Sequence, residues 1–228
     1  MSAAPIVRLA GVSKSYGSPP EATPVLLDVD LAIERGQKAS LVGPSGSGKS
    51  TLMSLIAGLL RPTDGTIEID GVDLTDLDDA ARARLRASRI GIALQSDNLI
   101  PFLTATENIE LAMAFVPHGS RRAARDRAEE LLDRFGVGGR ARHRSRQLSG
   151  GEAQRVALAV AMANEPALLL ADEVVGQLDG QTAGRVVDEV LAADFAVLFV
   201  THDVALADRA EHRYAIQDGA VQIGRAHV

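Results

Sequence analysis

Gly43-Pro-Ser-Gly-Ser-Gly-Lys-Ser50 is the stretch that decides the fold. A glycine, four variable residues and then Gly48-Lys49-Ser50 make the pattern of a backbone loop that wraps a chain of phosphates. It follows a compact apolar run, Ala39-Ser-Leu-Val42, and precedes Leu52, Leu55, Ile56 and Leu59 at helical spacing, which predicts strand, loop and helix in that order. The glycines let the backbone close around an anion, while loop amides and the helix start supply positive potential. Lys49 is placed to reach the terminal phosphates, and the Ser50 hydroxyl to join a Mg2+ shell. The expected nucleotide-binding segment is Gly43, Pro44, Ser45, Gly46, Ser47, Gly48, Lys49, Ser50 and Thr51. An ordinary Gly-Ser turn requires neither the lysine nor the flanking strand and helix.

Outward from this loop the chain has two textures. Residues 39–42, 168–171 and 195–200 are short apolar runs, as strands buried on both faces are, each followed by polar or Gly residues and a helical pattern. They predict a parallel sheet with crossover helices. Residues 6–9, 27–33 and 66–70 instead alternate apolar and polar side chains, which predicts an antiparallel lobe near the N-terminus. Tyr214 to Gln222 reads as a hairpin centred on Asp218-Gly219. From about residue 98 to 165 no strand stands out, and Ala124, Ala128, Leu131, Leu132 and Phe135 recur at helical spacing. The expectation is an α/β P-loop NTPase fold: a parallel core sheet, an N-terminal antiparallel β lobe and an inserted helical subdomain. One domain would fill residues 1–228, with its core at roughly 1–95 and 166–228 and the helical subdomain at roughly 96–165.

Leu168-Leu-Leu-Ala-Asp172-Glu173 ends an apolar strand on two carboxylates. In a parallel α/β sheet ligands bind at the carboxyl ends of strands, so the pair is expected to face the phosphate loop. Asp172 would act through the metal, and Glu173 would orient or deprotonate the attacking water.

Leu148-Ser-Gly-Gly-Glu152 precedes an amphipathic run that starts Ala153-Gln-Arg-Val156. Ser149 and Glu152 alone make a capping box. A cap does not require two consecutive glycines, which cost conformational entropy at a helix start, whereas close approach to a ligand does. With this stretch and the phosphate loop, the chain resembles the ATP-binding subunits of ABC transporters over nearly its whole length. The resemblance implies that Ser149, Gly150 and Gly151 bind, in trans, the γ-phosphate held by a second subunit. It also implies that Tyr16 stacks on adenine, that Gln95 touches Mg2+, that Asp179 faces the partner subunit and that His202 contacts the γ-phosphate. Two departures stand out. Val174-Val175 occupy the place where the family usually has Pro-Thr, and Glu152-Ala-Gln-Arg155 replaces the commoner Gln-Gln-Gln-Arg.

Residues 95–101, Gln-Ser-Asp-Asn-Leu-Ile-Pro, together with Leu103-Thr-Ala-Thr-Glu-Asn-Ile109 and Asp73-Leu-Thr-Asp-Leu77, are similar to the branch that serves lipoprotein release, macrolide export and cell division. That resemblance implies a homodimer or heterodimer of ATPase subunits with ATP at the interface, driving an integral membrane permease from the cytoplasmic face of the membrane. Composition fits an ordinary globular chain: 46% hydrophobic and 24% charged residues, net charge −6 and no Cys. The start, Met-Ser-Ala-Ala-Pro, lacks a basic segment and apolar core, so no secretory signal is expected. The apolar runs are too short to span a bilayer. A nucleic-acid-associated ATPase is the alternative raised by the nine arginines of residues 121–146. Asp126, Glu129, Glu130 and Asp133 are interleaved among them, so a solvated helix face is the stronger reading and no nucleic acid is expected. A nucleotide-gated module with low turnover is a third reading, raised by Val174-Val175.

Overall fold

The structure, a computed structural model, describes residues 4–18, 20–93, 99–116, 119–173, 180–201 and 204–224. In chain order the elements are β1 (Val7–Tyr16), β2 (Thr23–Ile33), β3 (Lys38–Val42), α1 (Lys49–Ile56), β4 (Asp64–Ile69), β5 (Val72–Asp73), α2 (Asp79–Arg89), β6 (Ile90–Ala93), α3 (Ala105–Met113) and α4 (Arg121–Arg134). They continue as α5 (Gly150–Ala161), β7 (Leu168–Asp172), α6 (Gly180–Leu191), β8 (Ala196–Val200), α7 (Val204–Ala207), β9 (His212–Gln217) and β10 (Ala220–Gly224). The chain groups into two compact units, residues 1–83 with 194–228, and residues 84–193.

The first unit carries two sets of strands. β1 pairs antiparallel with β2 (Val7 opposite Ile33) and with β4 (Val7 opposite Ile69), and β5 closes the far edge against β4. Val7, Leu9 and Val12 are buried on β1 and meet buried Val29, Leu31, Ile33, Ile67 and Ile69, the half-buried alternation that the pattern predicts. β3 runs parallel to both β8 and β9, and β10 folds back on β9. β3 and β8 are buried along nearly their whole length, as a central parallel pair requires. The hairpin forms where expected: Asp218 and Gly219 have φ 49° and 78°, and Gln217 faces Ala220 across a two-residue loop. Tyr214 locks this hairpin to the β lobe, its buried hydroxyl donating to the Ala32 carbonyl at 2.7 Å.

In the second unit β6 and β7 pair in parallel, Ile90 opposite Leu168 and Ala93 opposite Ala171. Gly91 is the close-approach point of this pair with α5: a Cβ there would lie 2.3 Å from the Ala161 carbonyl oxygen. α4 buries Ala128, Leu131 and Leu132, and packs on α3 and α5. Asn108 on α3 ties the preceding loop down, accepting from Ile100 N–H at 2.7 Å and donating to Thr104 O and Ser145 Oγ.

One packing expectation is corrected. Helical spacing predicts Leu59 on the apolar face of the helix after the phosphate loop, but α1 ends at Ile56 and Leu59 is 50% exposed. The helix closes with a Schellman turn, Gly58 N–H to Leu55 O and Leu59 N–H to Ser54 O, with Gly58 at φ 65°. That turn swings Leu59 off the buried stripe.

Candidate functional site

β3 is held between β8 and β9, so the loop that leaves it at Gly43 starts from a rigid base. The three glycines of the loop do different work. A Cβ on Gly43 would sit 2.3 Å from Ile216 O and 2.9 Å from Ser47 Oγ, so its role is close contact with β9. Gly46 has open space around it but φ 79°, so its role is conformational. Gly48 needs both: φ 105°, and Leu26 Cδ2 at 2.9 Å from an added Cβ.

Gly48 is also the N-cap of α1, and no side chain caps that end. No acidic residue lies in the first turn either, so the helix-start amides and their dipole face outward uncompensated. Pro44, Ser45, Gly46 and Ser50 are exposed, and Thr51 is half-buried. Lys49 is only 8% exposed, and its ammonium donates at 2.8 Å to both the Gly43 and the Pro44 carbonyl oxygens. The Ser47 hydroxyl is buried without a protein partner. A cradle of amides, a tethered ammonium and an orphan hydroxyl is chemistry for an oxyanion chain.

Asp172 is the last residue of β7, and Glu173 follows it; both are half-buried. Glu173 has φ 50°, left-handed backbone that a non-glycine residue rarely adopts and that costs on the order of 1 kcal/mol. Tyr16 ends β1, 44% exposed, with the Lys14 ammonium 5.4 Å from its ring centre. Gln95, Asp179 and His202, with Val174 and Val175, lie outside the described residues.

Ser149 is the N-cap of α5, and the capping box is fully made. Ser149 Oγ accepts from Glu152 N–H at 3.3 Å, and Ser149 N–H donates to Glu152 Oε2 at 2.9 Å. An accepting hydroxyl still has its own proton to donate, so the cap does not exhaust Ser149. Gly150 is exposed and Gly151 half-buried. Arg140 adds what the sequence reading missed: its Nε donates to Glu152 Oε1 at 2.7 Å. The Ser149 backbone N–H and then the Arg140 guanidinium push the Glu152 carboxyl down to about 2. A carboxyl so depressed contributes stability above its ordinary value near 4.5, lost as pH falls from there toward about 2. We therefore expect the denaturant-midpoint advantage of the wild type over Glu152→Gln to be full near neutrality and to shrink through that acid window. An advantage that is constant across it rules out the ion pair as its source.

Five of the nine arginines of residues 121–146 are paired with carboxylates. Arg122, Arg125 and Arg127 pair with Asp126, Glu129 and Glu130 along α4, Arg134 pairs with Glu189, and Arg140 pairs with Glu152. No helix among the described residues is long and apolar enough to cross a membrane.

The family model described as ABC transporter matches residues 26–176, a span that includes the phosphate loop, the Ser149 helix start and the carboxylate pair. The chain belongs to the ABC transporter family. Its fold is the P-loop NTPase fold of that family, and it is an ATP-binding, ATP-hydrolysing subunit that powers a membrane-embedded partner. Among relatives, the lipoprotein-releasing system ATP-binding protein LolD of Anaeromyxobacter dehalogenans is 44% identical, with 99% of this chain and 96% of that protein covered. The macrolide export ATP-binding/permease protein MacB 2 of Aeromonas hydrophila is 40% identical over 96% of this chain, which spans 34% of that longer protein. Among solved structures, the dimeric post-hydrolysis state of the ATP-binding cassette MJ0796, bound to ADP and Pi, superposes with a TM-score of 0.92. It is 37% identical, with 97% of this cassette and 99% of that chain covered. None of these comparisons favours a nucleic-acid-associated ATPase.

Proposed function

We propose that two ATPase subunits, identical or paired with a homologue, meet head to tail with ATP at each interface, and that closing on ATP moves an integral membrane permease. The observation that carries this reading is a second glycine-rich helix start, Ser149-Gly150-Gly151, in a chain that already owns a complete phosphate loop. A free hydroxyl proton and two glycines at a helix start suit a phosphate supplied by another chain.

In this reading Tyr16 stacks on adenine, and the backbone N–H groups of residues 45–51 with the Lys49 ammonium hold the phosphates that the loop from Gly43 to Thr51 wraps. Ser149, Gly150 and Gly151 of the other subunit donate to the γ-phosphate, His202 of the subunit that supplies Lys49 contacts it, and Asp179 faces the other subunit. Glu173 orients the attacking water and takes its proton. Mg2+, when bound, supplies positive charge against the phosphate oxygens. The Ser50 hydroxyl, the Gln95 amide and the Asp172 carboxylate would hold it. Hard oxygen donors with a single carboxylate suit an ion that keeps waters and phosphate oxygens in its shell. Among the described residues no cluster of three or more His, Cys, Asp or Glu side chains forms a dedicated metal cage.

Relatives named for lipoprotein release and macrolide export support export, or transmission of force to extracytoplasmic machinery, as the work done. The subunit then sits peripherally on the cytoplasmic face of the membrane. In the test, Glu173→Gln chains, slow to hydrolyse, shift to a dimer on a sizing column when ATP and Mg2+ are added. Ser149→Arg in the same background stays monomeric, because its side chain occupies the space meant for phosphate oxygens. A Ser149→Arg chain that still dimerises with ATP removes residues 149–151 from the interface.

A further inference from the structure

A carboxylate at a phosphate-binding helix start is a problem in electrostatics. Glu152 stands three residues after the serine that would meet the γ-phosphate. An ionised side chain there repels the ligand that the helix start attracts. The structure holds a compensating cation: Arg140 Nε lies 2.7 Å from Glu152 Oε1, leaving Oε2 to accept from Ser149 N–H at 2.9 Å.

Arg140 is itself held firmly. It ends a 3-10 turn, Gly138–Arg140, that packs on α4. Arg140 N–H donates to Val137 O at 2.8 Å, and Val137 N–H to Leu132 O at 2.8 Å, with Val137 and Leu132 both buried. The next residues are stitched to the start of α3, Thr106 N–H to Ala141 O at 3.1 Å and Ala105 N–H to His143 O at 3.0 Å. The guanidinium therefore reaches Glu152 from a base fixed by two helices.

We propose that Arg140 is a positioning residue for ATP hydrolysis: it neutralises and clamps Glu152, so that Ser149 and the Gly150 and Gly151 amides meet the γ-phosphate without a competing negative charge. This rests on the in-trans role of residues 149–151 given above. The clamp adds a charged hydrogen bond at the helix start to the packing of α3 and α4 on α5.

The test is a suppressor cycle on the full chain with steady-state ATP turnover as readout. Arg140→Ala lowers turnover roughly tenfold, the scale of losing one charge-assisted hydrogen bond and exposing its partner charge. Binding of a fluorescent ATP analogue to the dilute chain changes by less than about twofold, because the phosphate loop is not part of the clamp. Replacing Glu152 by Gln removes the charge that needs neutralising, so Arg140→Ala/Glu152→Gln returns to within about threefold of Glu152→Gln alone. A purely structural contact gives no such rescue. A double variant as slow as Arg140→Ala overturns the proposal, as does wild-type turnover in Arg140→Ala while Ser149→Arg is inactive. Should Ser149→Arg itself turn over normally, the in-trans reading falls, and the clamp with it. If Arg140→Ala is insoluble, Arg140→Gln, which keeps a polar side chain with an N–H donor and loses the charge, runs the same cycle.

Discussion

Glu173→Gln lowers ATP turnover by at least ~10²-fold, the usual scale for losing a positioned general base, while ATP stays bound. The amide is nearly isosteric with the carboxylate, so the loss falls on proton acceptance and not on packing. Glu173 follows the buried strand β7 directly, and its φ of 50° is left-handed backbone that the surroundings must hold in place. Gln suffers the same backbone strain as Glu, so the swap leaves the fold's stability near that of the wild type. Asp172 keeps its place at the strand end. Single-turnover measurement with pre-bound ATP isolates the chemical step from nucleotide binding and release. A variant that hydrolyses ATP at the wild-type rate takes Glu173 out of catalysis, whatever its backbone geometry.

The second large effect is expected at Lys49. Its ammonium is buried to 8% exposure and donates at 2.8 Å to two carbonyl oxygens of its own loop, Gly43 and Pro44. Those bonds shape the cradle before any ligand arrives, and the same charge is the one that clustered phosphates require. Lys49→Ala removes the charge and the internal strut together. Nucleotide affinity should fall by at least ~10²-fold, since hydrogen bonds to charged groups are the strong ones and this one faces several negative oxygens. The fold survives, because Leu52, Met53, Leu55 and Ile56 anchor α1 independently of the loop. Equilibrium binding of an ATP analogue, read beside a thermal melt, checks both halves. Affinity within about twofold of wild type is incompatible with the phosphate-loop assignment.

Much of the architecture was legible because its signals are local. A two-residue Asp-Gly turn between alternating strands needs no tertiary information, and the β9–β10 hairpin formed on it in the expected register. Strand β6 carries no strand signal of its own in the sequence. Ile-Gly-Ile-Ala is four residues with a glycine inside, and its identity as a strand comes from pairing with β7. The length of β1 was also hidden. Polar residues and Gly11, at φ 60°, interrupt the alternation beyond Leu9, yet the strand runs to Tyr16 through irregularities in its pairing.

The sequence by itself determined the family and the chemical vocabulary of this protein: a phosphate loop, a carboxylate pair at a strand end and a glycine-rich helix start. Those motifs are contiguous, and their chemistry follows from residue type and spacing along the chain. Only the tertiary structure decided how the individual groups are poised. It put the Lys49 ammonium on the Gly43 and Pro44 carbonyls, left the Ser47 hydroxyl buried without a protein partner, and turned Glu173 into left-handed backbone. It also brought Arg140 onto Glu152 across twelve residues. The nearest carboxylates along the chain are Asp133 on one side and Glu152 on the other, and which one Arg140 meets depends on where α3 and α4 fix its backbone. That is a property of packing, and no pattern in the chain encodes it locally.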